Sequence, residues 1–237
     1  MICFLTSSPF DEEDRFFINT NSFADNLRLV WNGGNVLYIA SFPDFYDLTD
    51  QYSEKHRGVF EREGFDIESW SVLDRRNADK AEELVKSADL IFLCGGHCMT
   101  EHKFYEELNL KHLLKGFDGV VIGVSAGSMN SAACVYAPAE LEEELTDPDF
   151  VSRYEGLGLT DINIFPHYHL YKDSMLGGKR MMEDIVYPDS FGERFYCMPD
   201  GTYLMIKDGK SEIWGEYWLL SDGIIKKMQE NTEVGIC

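Results

Sequence analysis

Basic residues are scarce in this chain. It has 21 Lys and Arg against 42 Asp and Glu, a formal net charge of −21 at pH 7. Nucleic-acid binding needs clustered cations to neutralise phosphates, so this charge excludes that class. It equally disfavours docking on an anionic membrane. A small anionic substrate stays possible, because one arginine in a cleft dominates locally. Long apolar runs are missing too, and none approaches the ~20 residues of a membrane span. The opening "MICFLTSSPFDEED" lacks a basic n-region, so no secretory leader is expected. Cys3, Cys94, Cys98, Cys134, Cys197 and Cys237 contain no C-x-x-C pair. Four of them lie in or beside apolar runs, where a free thiol behaves as a small hydrophobe. Cys94 and Cys98 flank Gly95-Gly96-His97, with His102 nearby, but the spacing fits no zinc pattern and no metal is expected. Reduced thiols and the missing leader point to the cytoplasm. Internal repeats, low-complexity segments and a convincing linker are also lacking.

What is present reads as one domain over residues 1–237. The chain is 44% hydrophobic and 14% aromatic, enough for a core that needs no covalent staple. Apolar runs at "MICFLT", Asn35–Ser41, Asp89–Gly96 and "GVVIGV" predict buried strands. Helical patterns at Leu48–Gly64, Asn77–Ala88 (capped by Asn77) and "TEHKFYEELNLKHLLKGF" (capped by Thr100) separate them. "FDIESWSVL" alternates as a strand does. This order predicts an α/β fold, a three-layer α/β/α sandwich on a mainly parallel sheet. Pro138–Gly158 reads as an acidic, loop-like stretch with room for a short helix, "LTDINIFPHYH" as a strand running into a Pro-His turn, and "SMLGGKRMMEDIVYP" as a helix. The last stretch, with Pro-Asp-Gly and Asp-Gly-Lys turns, predicts a β-rich C-terminal end of antiparallel strands.

In such sheets sites form at the carboxyl ends of strands. "LIFLCGGH" ends there in a glycine pair, "VVIGVSAG" in Ser125 and "NIFPHY" in His167. Gly123, Ser125 and Gly127 spell G-x-S-x-G, a tight strand-to-helix turn around one hydroxyl. A serine needs a base to become a nucleophile, and the oxyanion it creates needs preplaced N–H donors. The N–H of Ala126 and that of the Gly95-Gly96 pair suit this. His167 is preferred to His169 as the base. An α/β-hydrolase would run Ser, acid, His, with the histidine near the C-terminus; here a long segment follows the last histidine, so an acid after His167 fits better.

Four blocks carry a family resemblance: "LIFLCGGH", "VIGVSAGSM", "GLGLTDINIFPHY" and "MPDGTYLMI". Over nearly its whole length the chain resembles the dipeptidase E (aspartyl dipeptidase) family of serine peptidases, related to cyanophycinase. The resemblance implies a class I glutamine-amidotransferase-like fold and an intracellular Ser–His–acid site with no cofactor. By motif it implies Ser125 as nucleophile, His167 as base, Asp200 as the acid, and Gly96 and Ala126 as oxyanion donors. Asp200 stands where dipeptidase E carries a glutamate; were it only a turn residue, Glu193 or Glu216 would be the next acids. His97 replaces the family's usual amide and is expected at the substrate. The expected substrate is a small peptide with N-terminal aspartate, its carboxylate received by Arg180 at the start of the "GGKRMMED" helix. The alternatives are a cyanophycinase-like hydrolase of β-Asp-Arg peptides, and an inactive relative that binds a small ligand in the same cleft.

Overall fold

The computed structural model describes residues 1–229 and 232–234; Cys237 lies outside the described residues. Strands β1 (Ile2–Thr6), β2 (Gly33–Ile39), β3 (Asp66–Leu73), β4 (Leu90–Leu93) and β5 (Val120–Val124) alternate with helices α1 (Phe23–Arg28), α2 (Tyr46–Arg62), α3 (Ala81–Ser87), α4 (Cys98–Glu107) and α5 (Leu110–Leu113). There follow α6 (Ala126–Met129), β6 (Cys134–Tyr136), β7 (Arg153–Glu155), β8 (Asn163–Phe165), α7 (Tyr168–Tyr171), β9 (Met175–Leu176), β10 (Lys179–Arg180) and α8 (Tyr187–Asp189). The C-terminal part holds β11 (Phe195–Cys197), β12 (Tyr203–Lys207), β13 (Lys210–Trp214), β14 (Trp218–Ser221), β15 (Ile224–Lys227) and β16 (Thr232–Glu233).

The main sheet runs β16-β13-β12-β1-β5-β4-β2-β3. From β1 to β3 every pairing is parallel, whereas β12, β13 and β16 add an antiparallel flank. Side chains on a strand alternate between faces. Phe4, Val36, Tyr38, Phe92 and Ile122 therefore face one core, with α1 and α2 supplying Phe23, Leu27, Val59 and Phe60. Leu5, Leu37, Ile39, Ile91, Leu93 and Val121 face the other, where α3, α4 and α5 meet Ile162, Ile164, Tyr196 and Met198. Burying each such large side chain contributes about 1.5–3 kcal/mol. The third layer is thus only partly helical. A second sheet, ordered β15-β14-β11-β8, completes it and buries its far face against Met181, Met182 and Val186.

Local differences from the sequence reading have local causes. Asn77 does not cap a helix: its side chain bonds Asp74 N and Val72 O, and a short 3₁₀ turn, Ala78–Lys80, leads into α3. The cap of α4 is His97, not Thr100; the Thr100 N–H donates to its ring. The helix expected from Ser174 is a small β9–β10 hairpin followed by a π-helical segment, Met181–Val186. Gly177 and Gly178, at φ of 53° and 80°, make the reversal that a helix forbids.

One acid lies inside this core. Glu101 on α4 is fully buried; Asn130 Nδ2 donates to its Oε2 at 2.9 Å, and the Tyr105 hydroxyl stands beside the carboxyl. Burial pushes its carboxyl up to about 8 from an ordinary 4.5. Between those values the folded chain keeps a proton that the unfolded chain has released, so stability falls as pH rises through that window. Glu101→Gln is expected to raise Tm by roughly 3–8 °C near pH 9 and by little near pH 5. Thermal unfolding at both pH values checks this; an equal shift at the two would refute the buried neutral acid.

Candidate active site

Three strand ends converge because of register. Parallel pairing of β1 with β5 sets Thr6 opposite Val124, so Ser7 arrives beside Ser125. Antiparallel pairing of β1 with β12 sets Thr6 opposite Tyr203. Two backbone bonds past that point, Ser7 N to Thr202 O (3.1 Å) and Gly201 N to Ser8 O (2.7 Å), bring Asp200 alongside. In the second sheet β8 and β11 pair with Phe165 opposite Cys197, and His167 leaves β8 at the level where the chain crosses towards Asp200.

Ser125 sits at the elbow between β5 and α6, at φ 49° and ψ −112°. A non-glycine residue there costs about 1–3 kcal/mol, and the surroundings must hold it. Its N–H is clamped by Ser7 O (2.9 Å) and Thr6 O (3.1 Å). The turn also needs close packing: a Cβ on Gly127 would come within 2.5 Å of Leu93 O. On the neighbouring strand end, a Cβ on Gly96 would meet Ser41 Oγ at 2.6 Å. His167 is likewise left-handed, at φ 53° and ψ 31°.

The side chains form one hydrogen-bonded line. His167 Nε2 lies 2.8 Å from Ser125 Oγ, and its Nδ1 lies 2.8 Å from Asp200 Oδ1. A carboxylate only accepts, so Nδ1 carries the proton and Nε2 is free to accept from the serine hydroxyl. Burial works to raise the Asp200 carboxyl, but the bond and charge of His167, with the Ser7 hydroxyl, hold it below its usual value. His169 Nε2 approaches the other oxygen only to 3.7 Å. Glu193 faces Arg153 and Glu216 pairs with Lys227, so neither joins the line. Ser125 and Gly96 border one narrow cleft, and the N–H groups of Gly96 and Ala126 make no hydrogen bond to another described residue.

Other residues singled out in the sequence sit differently. His97 uses both ring nitrogens, accepting from Thr100 N at Nδ1 and meeting Glu144 Oε1 at 2.9 Å through Nε2. It fixes a loop and leaves no ring nitrogen for a ligand. Arg180 is exposed on β10 and held by Asp184 at 2.7 Å, not by Glu183. Cys94 and Cys98 pair with the hydroxyls of Tyr38 and Tyr154, and burial pushes both thiols up, Cys94 to about 11.

Ser7 is the residue that sequence reasoning missed. It is fully buried; its Oγ donates to Asp200 Oδ1 and accepts from His167 N, each at 2.7 Å. Only its place at the end of the first strand hinted at this.

The arrangement is that of a serine-type peptidase. Residues 3–214 match peptidase family S51, the family of dipeptidase E, and the chain belongs to it. Two solved structures share the fold. A peptidase from an acI-B1 Actinobacterium is 16% identical, with a TM-score of 0.67 over 99% of this chain and 96% of that one. A protein of Listeria monocytogenes EGD-e, described as a candidate peptidase E, is 16% identical, with a TM-score of 0.59 over 96% of this chain and 98% of that one. Comparison with curated proteins finds no match. Among the described residues no helix is long and apolar enough to cross a membrane.

Ser7→Ala removes a donor to Asp200 and the acceptor of the His167 N–H. It is expected to lower kcat by roughly ten- to a hundred-fold with KM nearly unchanged, the scale of a hydrogen bond to a charged group. Steady-state kinetics on a hydrolysed dipeptide checks this, and an unchanged kcat would remove Ser7 from the machinery.

Proposed function

We propose that this S51 peptidase is a serine exopeptidase of small peptides, working through Ser125, His167 and Asp200. One observation carries the reading: the unbroken line from Ser125 Oγ through the His167 ring to Asp200. Ser125 attacks the scissile carbonyl while His167 Nε2 takes its proton. Asp200 keeps the ring in the tautomer this requires and stabilises the imidazolium. The N–H groups of Gly96 and Ala126 receive the oxyanion. His167 then protonates the leaving amine, and water, deprotonated by the same ring, releases the acyl group. No step calls on a cofactor. The free thiols among the described cysteines suit a cytoplasmic location.

The finer reading is a preference for N-terminal aspartate. Its support is the dipeptidase E resemblance and the place of Arg180, next in sequence to Met181 on the cleft wall. Because Asp184 already holds Arg180, an aspartyl substrate binds there by exchanging one carboxylate for another.

A library of Asp-X, β-Asp-X and Ala-X dipeptides tests both levels. Ser125→Ala and His167→Ala are each expected to cost on the order of 10⁶ in kcat, and the double variant little more, because residues of one unit act non-additively. Turnover above a few per cent in Ser125→Ala contradicts the nucleophile assignment. Arg180→Met is expected to lower kcat/KM on Asp-X by roughly tenfold or more while sparing Ala-X. Equal loss on both substrates, or none, rules out Arg180 as the aspartate receptor.

A further inference from the structure

The N–H assigned to the oxyanion at Gly96 belongs to a peptide group flanked by two glycines, Gly95 and Gly96. Neither position can be stiffened by a side chain. A Cβ on Gly95 would come within 3.0 Å of Ser125 Cβ, and one on Gly96 within 2.6 Å of Ser41 Oγ and 2.9 Å of Phe42 Cε2. A peptide between two glycines turns over with little steric resistance. Turned over, it would aim its carbonyl oxygen at the developing oxyanion, and the two would repel.

One hydroxyl opposes that flip. Parallel pairing of β2 with β4 sets Ile39 opposite Leu93, which brings Ser41 level with Gly95 two residues further on. Ser41 is buried, and its Oγ donates to Gly95 O at 2.7 Å. The Cys94 thiol also reaches that oxygen, but only at 3.5 Å, and a thiol is a weak donor. Gly95 O and Gly96 N–H are the two ends of one peptide group. Across a trans peptide they point in opposite directions, and no cis bond occurs among the described residues. In the sheet β4 lies between β2 and β5. A carbonyl drawn towards β2 by Ser41 therefore sends the N–H towards β5, whose end carries Ser125. The hydrogen bond at the carbonyl also polarises the peptide and makes its N–H a better donor.

We propose that Ser41 is a positioning residue: its hydroxyl holds the Gly95–Gly96 peptide in the orientation that presents an N–H to the oxyanion. This rests on the reading of Ser125 as nucleophile. Ser41 acts through Gly96 and not on the substrate. Its contribution is concentrated in the tetrahedral state, where the oxygen carries a full charge, because the ground-state carbonyl draws far less on the same donor. The fold thus fixes by a hydrogen bond what close packing around Gly96 prevents it from fixing by a side chain.

Two readouts separate this role from a merely structural one. The amide nitrogen of Gly96 senses whether the carbonyl of its own peptide is hydrogen-bonded, so in NMR of the substrate-free protein Ser41→Ala is expected to move that resonance upfield. The second probe is the pair of boronic acid analogues of alanine and aspartate, which add to a serine hydroxyl and place an oxygen where the oxyanion forms. Ser41→Ala is expected to weaken their inhibition by roughly ten- to a hundred-fold and to lower kcat on Ala-Leu and Asp-Leu by a similar factor, with KM nearly unchanged; this is less than the 10²–10³ for deleting an oxyanion donor outright. Ser41→Cys, which keeps a weaker donor of similar size, should fall between wild type and Ser41→Ala. An unmoved Gly96 resonance overturns the proposal, as does boronate affinity equal in wild type and Ser41→Ala. A rise in KM matching the loss of boronate affinity, or loss of the fold in both variants, also overturns it, because Ser41 would then serve the structure alone. If neither boronate adds to Ser125 in the wild type, it is the catalytic reading that fails, and the proposal with it.

Discussion

Ser7 is the point on which the site depends. Its carbonyl clamps the N–H of Ser125, and its hydroxyl joins the backbone of His167 to the carboxylate of Asp200. One buried residue thus touches all three members of the proposed triad. It can do so because β1 lies between β5 and β12, so its carboxyl end lies beside both Ser125 and the crossing that carries Asp200. Geometry of this kind is preorganised: the groups are held before substrate arrives, and the chemical step pays no ordering cost.

Strain is concentrated at the same place. Ser125 and His167 both hold left-handed conformations without being glycine. Each is tolerated because hydrogen bonds and packing over-determine it. The second sheet is what makes the His167 position possible. By packing Ile164, Tyr196 and Met198 against the main core, it seats β8 and β11 so that their ends face the ends of β1 and β5. A fold with a purely helical third layer would have no strand end there to carry a histidine.

Much of this was legible before the structure. Continuous apolar runs with intervening amphipathic segments gave the parallel strands, because a sheet buried on both faces leaves no room for polar alternation. Ser125 and His167 stood out because each follows a strand-like run and carries a turn residue beside it, whereas Asp200 was indicated by the family resemblance and its place after His167. Ser7 was not legible: in "MICFLTSSPF" it looks like any loop serine, and its importance comes from register between strands far apart in sequence. The segment around Arg180 misled in the opposite way. Its Met, Glu, Asp and Ile pattern suits a helix, yet the two glycines before it impose a hairpin, and the helical turn starts only at Met181. His97 replaced an expected polar contact with a helix cap, a competition between substrate and backbone that composition does not reveal.

The account turns on Ser125 being the hydroxyl that His167 activates. Reaction of the intact protein with a fluorophosphonate, followed by tandem mass spectrometry of the digested adduct, tests this most directly. The account predicts a single phosphonylated site at Ser125, formed far more slowly once Asp200 is replaced by asparagine, because the imidazole then loses the partner that fixes its tautomer. An adduct on another residue, no adduct at all, or labelling indifferent to Asp200 would contradict it.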